Sequence, residues 1–188
     1  MKRMLLGIIV LGTFSFANAQ TFKPFRADAM LGYAIPGGTG SKGGVIAAFE
    51  PHYAVNDNIS VGLRFEAAIT ARAAIDKDGN AVSGSVKASG SYLVTGDYYF
   101  NTSNFRPFIG LGAGMFSLAA VDVAVDSSNT SQSVAAGTKF GFTPRVGFDL
   151  GHFRMAVEYN IAGKTGTINN NYLGIKMGFF IGGGRFKK

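Results

Sequence analysis

Residues 153–161, Phe-Arg-Met-Ala-Val-Glu-Tyr-Asn-Ile, and residues 173–181, Leu-Gly-Ile-Lys-Met-Gly-Phe-Phe-Ile, decide the fold. In the first, Phe153, Met155, Val157, Tyr159 and Ile161 alternate with Arg154, Ala156, Glu158 and Asn160. In the second, Leu173, Ile175, Met177, Phe179 and Ile181 alternate with Gly174, Lys176, Gly178 and Phe180. A period of two is a strand with two unlike faces. One face is apolar throughout. The other carries charges, glycines and an amide, and what it points at decides what the protein can do.

The same alternation recurs upstream. Ile59, Val61, Leu63, Phe65 and Ala67 oppose Ser60, Gly62, Arg64 and Glu66. Phe140, Phe142, Pro144, Val146, Phe148 and Leu150 oppose Gly141, Thr143, Arg145, Gly147 and Asp149. Phe49, Tyr53 and Val55 oppose Glu50 and His52, and Tyr92, Val94, Tyr98 and Phe100 oppose Thr95, Asp97 and Tyr99; a weaker version sets Ala27, Ala29, Leu31 and Tyr33 against Arg26, Asp28, Met30 and Gly32. The pattern predicts strands near 25–35, 45–55, 59–71, 87–100, 106–118, 138–150, 152–162 and 171–182. Their connections alternate in length. Residues 56–58, 101–105 and 151 are short. Residues 36–44, 72–86, 119–137 and 163–170 are longer and rich in Gly, Ser, Thr, Asn and Asp. Eight strands with short turns at one end and long loops at the other predict an antiparallel, up-and-down transmembrane β-barrel, all-β in class. Each strand reaches the roughly 9–11 residues needed to span. The short turns and both termini would face the periplasm, and the long loops the cell exterior.

The N-terminus agrees. Lys2 and Arg3 precede an apolar run over 4–16, and Ala17-Asn18-Ala19 supplies a small-x-small cleavage pattern. This reads as a secretory signal peptide over 1–19, cut before Gln20, leaving one barrel domain over 20–188. The run is too short for a spanning helix of about 20 residues. The chain has 27 Gly, 17 Phe and no Cys. That composition excludes a disulfide framework and thiol chemistry, and fits neither disorder nor a helical bundle. The formal net charge of +7 falls to +5 once Lys2 and Arg3 are removed. The basic residues are dispersed apart from the tail Arg185, Lys187 and Lys188, so no nucleic-acid site is expected.

A soluble eight-stranded barrel would turn its apolar faces inward. Three features favour the reverse. Aromatic residues gather near strand ends, with Tyr53, Tyr98, Phe100, Phe148 and Phe153 at the turn end and Tyr33, Phe140 and Tyr159 at the loop end, as in membrane-interface girdles. The polar faces are glycine-rich, which suits a crowded lumen. Their charges also balance, with Arg26, Arg64, Arg106, Arg145, Arg154 and Lys176 against Asp28, Glu50, Glu66, Asp97, Asp149 and Glu158. Buried charges must be paired; solvated ones need not be. These residues and His52 form the expected lumen network, with Tyr99, Phe108 and Phe180 completing a plug.

The strand end Tyr98-Tyr99-Phe100, the stretch Phe105-Arg106-Pro107-Phe108-Ile109-Gly110-Leu111-Gly112-Ala113-Gly114, Thr143-Pro144-Arg145-Val146-Gly147-Phe148 and Tyr172-Leu173-Gly174-Ile175-Lys176-Met177-Gly178 together resemble the small outer-membrane barrels of Gram-negative bacteria. These are the OmpA/OmpX-type, porin-like barrels, and the resemblance spans the whole mature chain. It implies an outer-membrane location, contact with outer-membrane lipid and lipopolysaccharide, and recognition by the barrel insertion machinery. Many members end on an aromatic residue read by that machinery. This chain ends Gly184-Arg185-Phe186-Lys187-Lys188, so Phe186, or Phe179 and Ile181, would take that part.

Chemistry-bearing motifs are few. Residues 36–44 are glycine-rich but lack the spacing of a phosphate loop. Asp76-Lys77-Asp78-Gly79-Asn80 lacks the distal Glu of a calcium loop and reads as a tight turn. Gly110, Gly112 and Gly114 line one strand face. His152 sits beside a turn. His52 shares a face with Glu50 and lies near Asp97, the raw material of a hydrolase triad. Some outer-membrane barrels modify lipid A, but their catalytic groups face lipid, whereas His52 is expected to face inward. No cofactor, metal or catalytic residue is therefore expected, and the chain reads as a non-enzyme. Pro51 and Pro144 cannot donate to a ladder, so each is expected at a bulge or ladder break. Val121, Val123 and Val125 alternate with Asp122, Ala124 and Asp126, which extends strands into a raised hairpin around 127–133. The expected function is a closed scaffold whose outer loops interact with an extracellular ligand. The alternatives are a narrow channel for small or apolar solutes and, less favoured, a lipid A-modifying hydrolase.

Overall fold

The computed structural model describes residues 22–37, 41–75, 81–124, 132–165 and 168–183. The signal-peptide reading, residues 76–80, Val125 with the hairpin tip, and Phe186 lie outside them. Eight strands form one closed antiparallel barrel: β1 (Phe25–Pro36), β2 (Ser41–Ala54), β3 (Ile59–Ile75), β4 (Ala81–Tyr99), β5 (Phe105–Ala124), β6 (Gln132–Leu150), β7 (Phe153–Asn160) and β10 (Tyr172–Gly182). Two short strands, β8 (Lys164–Thr165) and β9 (Ile168–Asn169), pair with each other in the connection between β7 and β10. Sequence neighbours pair throughout, and β1 closes on β10 from Arg26↔Gly182 to Pro36↔Tyr172.

The barrel's stagger follows from the register. Leu150 pairs with Phe153, Phe153 with Phe179, Phe179 with Ala29, Ala29 with Phe49 and Phe49 with Phe65. Phe65 pairs with Tyr92, Tyr92 with Met115 and Met115 with Phe140. One circuit from position 150 thus returns to β6 at position 140, a shear of ten residues (150 minus 140). Eight strands at this stagger enclose an interior just wide enough for side chains to fill.

Turn chemistry closes one end tightly. Asn56 Oδ1 accepts from the amides of Asn58 and Ile59 at 2.9 and 2.8 Å, an Asx turn between β2 and β3. Gly151 supplies the left-handed residue (φ 61°) between β6 and β7. Both prolines sit where ladders lapse. The β2–β3 ladder skips from Phe49↔Phe65 to His52↔Gly62, passing over Pro51. The β6–β7 ladder ends at Arg145↔Glu158 and resumes as a single bridge at Phe142↔Ile161, passing over Pro144. The register is unchanged across each gap, so these are ladder breaks and not bulges.

The strands overrun their expected limits. Residues 72–75, 81–86, 119–124 and 132–137, within stretches read from sequence as loops, are strand. β3, β4, β5 and β6 run 17, 19, 20 and 19 residues and pair out to Val123↔Gln132 and, after a register shift between Ala74 and Ile75, to Ile75↔Ala81. A bilayer needs only about half that length. These four strands therefore rise past the rest of the barrel as one curved sheet.

The facing is as the alternation predicts. Phe179 and Ile181 are 67 % and 76 % exposed, and Leu31, Val45, Tyr92, Val94 and Phe140 also stand outward. A belt this apolar around a polar interior is stable only in hydrocarbon. Among the described residues no helix is long and apolar enough to cross a membrane.

Candidate functional site in the barrel lumen

Every residue expected in the lumen network is buried. The register sorts them into two clusters. Toward the turn end, Arg154 is the hub. Its guanidinium lies 2.6 Å from Asp97, 3.2 Å from Asp149 and 3.5 Å from Asp28, donates to the Tyr99 hydroxyl at 2.9 Å, and stacks 3.9 Å from the Phe108 ring centre. Arg145 grips Glu50 through both terminal nitrogens, each at 2.8 Å, and donates from Nε to Asp97 at 2.8 Å. Arg26 bridges Asp149 at 2.6 Å and Asp28 at 3.1 Å. His52 Nε2 lies 3.3 Å from both Asp28 and Glu50, and Thr95 donates to Glu50 at 2.5 Å.

The second cluster lies toward the loop end. Arg64 pairs with Glu158 and lies 3.8 Å from Glu66. Lys176 bridges Glu66 and Glu158 at 2.5 and 2.8 Å. The Tyr172 hydroxyl donates to Glu66 at 2.6 Å, Asn160 Nδ2 to Glu158 at 3.0 Å, and Thr143 to Asn160 Oδ1 at 2.8 Å. Thr95, Thr143 and Asn160 stand on the polar faces that the alternation assigns, although they were not among the residues expected in the network, and Tyr172 shares the inward parity of Lys176.

Arg106 departs from the six-against-six expectation. It sits outside the carboxylate network, at the turn-end mouth. Its guanidinium is held between the Phe22 and Tyr99 rings, each 4.0 Å away, and donates to the Asp57 carbonyl at 2.6 Å. Phe22, ahead of β1, is buried and serves as a stopper there. Tyr99, Phe108 and Phe180 fill the same end as expected, with Phe180 4.5 Å from the Arg26 guanidinium. Two buried apolar clusters, one of Ala34, Ile46, Ala68 and Tyr172 and one of Leu93, Phe116 and Ala162, lie above the charges.

Apart from Arg106, the arginines and the lysine of this interior are paired with its carboxylates. The cavity beside His52, Ser60 and Arg106 holds about 20 Å³, room for one water and not for a lipid. Neither Ser60 Oγ nor His52 Nδ1 has a hydrogen-bond partner, so they do not bond each other and no serine–histidine pair is formed. His152 is exposed at the β6–β7 turn, its ring 5.3 Å from that of Phe180. No group of acidic or histidine side chains among the described residues could hold a metal ion. Planar bilayers containing the purified barrel should show no stable single-channel steps. Steps that persist after repurification would overturn the closed-lumen reading.

No protein-family model and no curated protein matches this chain by sequence. Solved structures do match in shape. Neisserial surface protein A aligns over 84 % of this chain and 96 % of its own, at 19 % identity and a TM-score of 0.58. The outer-membrane protein OprG of Pseudomonas aeruginosa aligns over 90 % and 98 %, at 16 % identity and a TM-score of 0.54. The attachment invasion locus protein Ail of Yersinia pestis aligns over 87 % and 99 %, at 15 % identity and a TM-score of 0.54. With its apolar belt and closed polar interior, the chain is a transmembrane β-barrel with the eight-stranded fold of the OmpA/OmpX-type outer-membrane proteins.

Proposed function

We propose that this is an outer-membrane surface protein whose barrel is an inert scaffold and whose raised sheet captures an extended segment of an extracellular partner. The carrying observation is the edge of β6. Residues 132–141 pair with β5 along their whole length, from Val123↔Gln132 to Gly114↔Gly141. On the other side β7 ends at Asn160, and Phe142↔Ile161 is the last bridge. Among the described residues, positions 132–138 of β6 therefore have no strand paired on their second side and rise past the end of β7. Such an edge is a template for another strand, and main-chain hydrogen bonds give the affinity. Natural sheets blunt edges with proline, bulges or dense charge. This one runs Gln-Ser-Val-Ala-Ala-Gly-Thr, with no charge and no proline.

Main-chain polarity identifies the donors. Phe142 exchanges both hydrogen bonds with Ile161, at 3.2 and 2.8 Å, so even-numbered residues of β6 direct their amides to the open side. Ala136→Pro removes one such donor and leaves the β5 ladder intact, a placement proline tolerates on an edge. A phage-displayed peptide library selected on the refolded barrel in nanodiscs should yield extended, alternating sequences. Their binding to Ala136→Pro should fall at least tenfold while the barrel keeps its heat-dependent gel mobility. Undiminished binding, or selection of peptides without strand character, would overturn this reading.

A further inference from the structure

The lipid-facing belt is not uniform. The cross-strand row climbing the barrel from Phe153 through Phe179, Phe49 and Phe65 to Tyr92 is aromatic except at Ala29. In the row above, Leu31, Ala47 and Ala67 are paired neighbours. Ala29, Ala47 and Ala67 form a low floor on three adjacent strands, with Phe49 and Phe65 standing beside it. The resulting groove holds about 900 Å³ and is almost wholly apolar. A second groove, around Gly96, has about half that volume, 430 Å³.

Its dimensions name an occupant. From β7 to β4 the groove crosses five strand spacings, about 24 Å at ~4.8 Å each. With strands tilted by roughly 35–45° it rises by about 15 Å, half the ~30 Å hydrocarbon core. It begins at Phe153, the first residue of β7, and reaches Tyr92, seven residues from the turn end of β4, so it occupies the turn-end half of the membrane. The groove is continuous with the lipid-facing belt, and the two polar residues along its lining, Glu66 and Ser91, are buried on the lumen side of the wall.

We propose that this groove seats one acyl chain of a periplasmic-leaflet glycerophospholipid, held longer than the lipids around it. The inference rests on the outer-membrane placement above. The aromatic walls confine the chain laterally, and the alanine floor brings it against the backbone, so it makes dispersion contacts that a flat belt does not offer.

Native mass spectrometry of the barrel released from phosphatidylethanolamine nanodiscs tests this. One phospholipid should stay bound at activation energies that strip the rest. Ala47→Phe with Ala67→Phe, or Ala29→Phe alone, fills the groove from outside and should leave the barrel lipid-free under the same conditions, with folding checked by heat-dependent mobility. Equal retention by filled and native barrels, or no retention by either, would overturn the proposal. The chain has no Trp, so Tyr92→Trp and Val146→Trp report membrane placement separately. Brominated phosphatidylethanolamine should quench both, and failure to quench either would sink the outer-membrane placement itself.

Discussion

Replacing Arg154 by leucine should destabilise the refolded barrel by about 3–5 kcal/mol, the cost of leaving a buried ion network without one partner. Arg154 lies within 3.5 Å of three carboxylates, those of Asp28, Asp97 and Asp149. The surviving cations cannot replace it. Arg145 is already shared by Glu50 and Asp97, and Arg26 by Asp28 and Asp149. Leucine restores some packing against Phe108 but leaves three buried acceptors facing one another. The midpoint of urea unfolding in lipid vesicles measures the loss. Arg106→Leu supplies the contrast. That side chain lies at the mouth between two rings, and its removal should cost only about 1–2 kcal/mol, in the range of cation–π contacts. If the lumen charges act as one unit, Asp97→Asn should cost less in the Arg154→Leu background than alone. An Arg154→Leu barrel within 1 kcal/mol of the native protein would show that the network contributes little to stability.

How much of this lumen could be read in the sequence follows from what alternation encodes. Period two fixes which side chains turn inward, so every expected lumen residue is buried. It says nothing about stagger. The shear of ten residues decides that Arg64 meets Glu158, ninety-four positions away, and that Arg106 falls beyond the carboxylates. The raised sheet was hidden for a different reason. Above the membrane both faces of β3–β6 are free of lipid, so stretches such as Ser83-Gly84-Ser85 and Ala119-Ala120 lose the apolar alternation and look like loop. Only Val121 and Val123 kept enough pattern to suggest a hairpin, and they pair with Val134 and Gln132. The lipid-side groove was equally unreadable, because Ala29, Ala47 and Ala67 come together only through the register.

A large effect from a small change is expected at Gly110. It faces the lumen between Asp97 and Arg145, and a β-carbon there would lie 2.1 Å from Asp97 Oδ1 and 2.8 Å from the Gly96 carbonyl. Asp97 cannot swing away freely, since its two oxygens are held by Arg145 and Arg154 at 2.8 and 2.6 Å. The carbonyl is main chain in the paired strand. Gly110→Ala must therefore break the ion pairs or distort the β4–β5 ladder. Overpacking costs about 1–3 kcal/mol and a disturbed buried pair about 3–5, so most of the protein should fail to reach the heat-modifiable, protease-resistant form. Gly112, two residues along the same face, is the control. The nearest atoms to a β-carbon there are in the Leu93, Thr95 and Thr143 side chains, at 3.3 to 3.5 Å, so Gly112→Ala should refold nearly as well as the native chain. Refolding yields of the two variants, compared on detergent gels with and without heating, separate a glycine required by the charge network from one that merely lines a tight lumen. Equal yields would mean that Asp97 is free to move and that the network is looser than its distances imply.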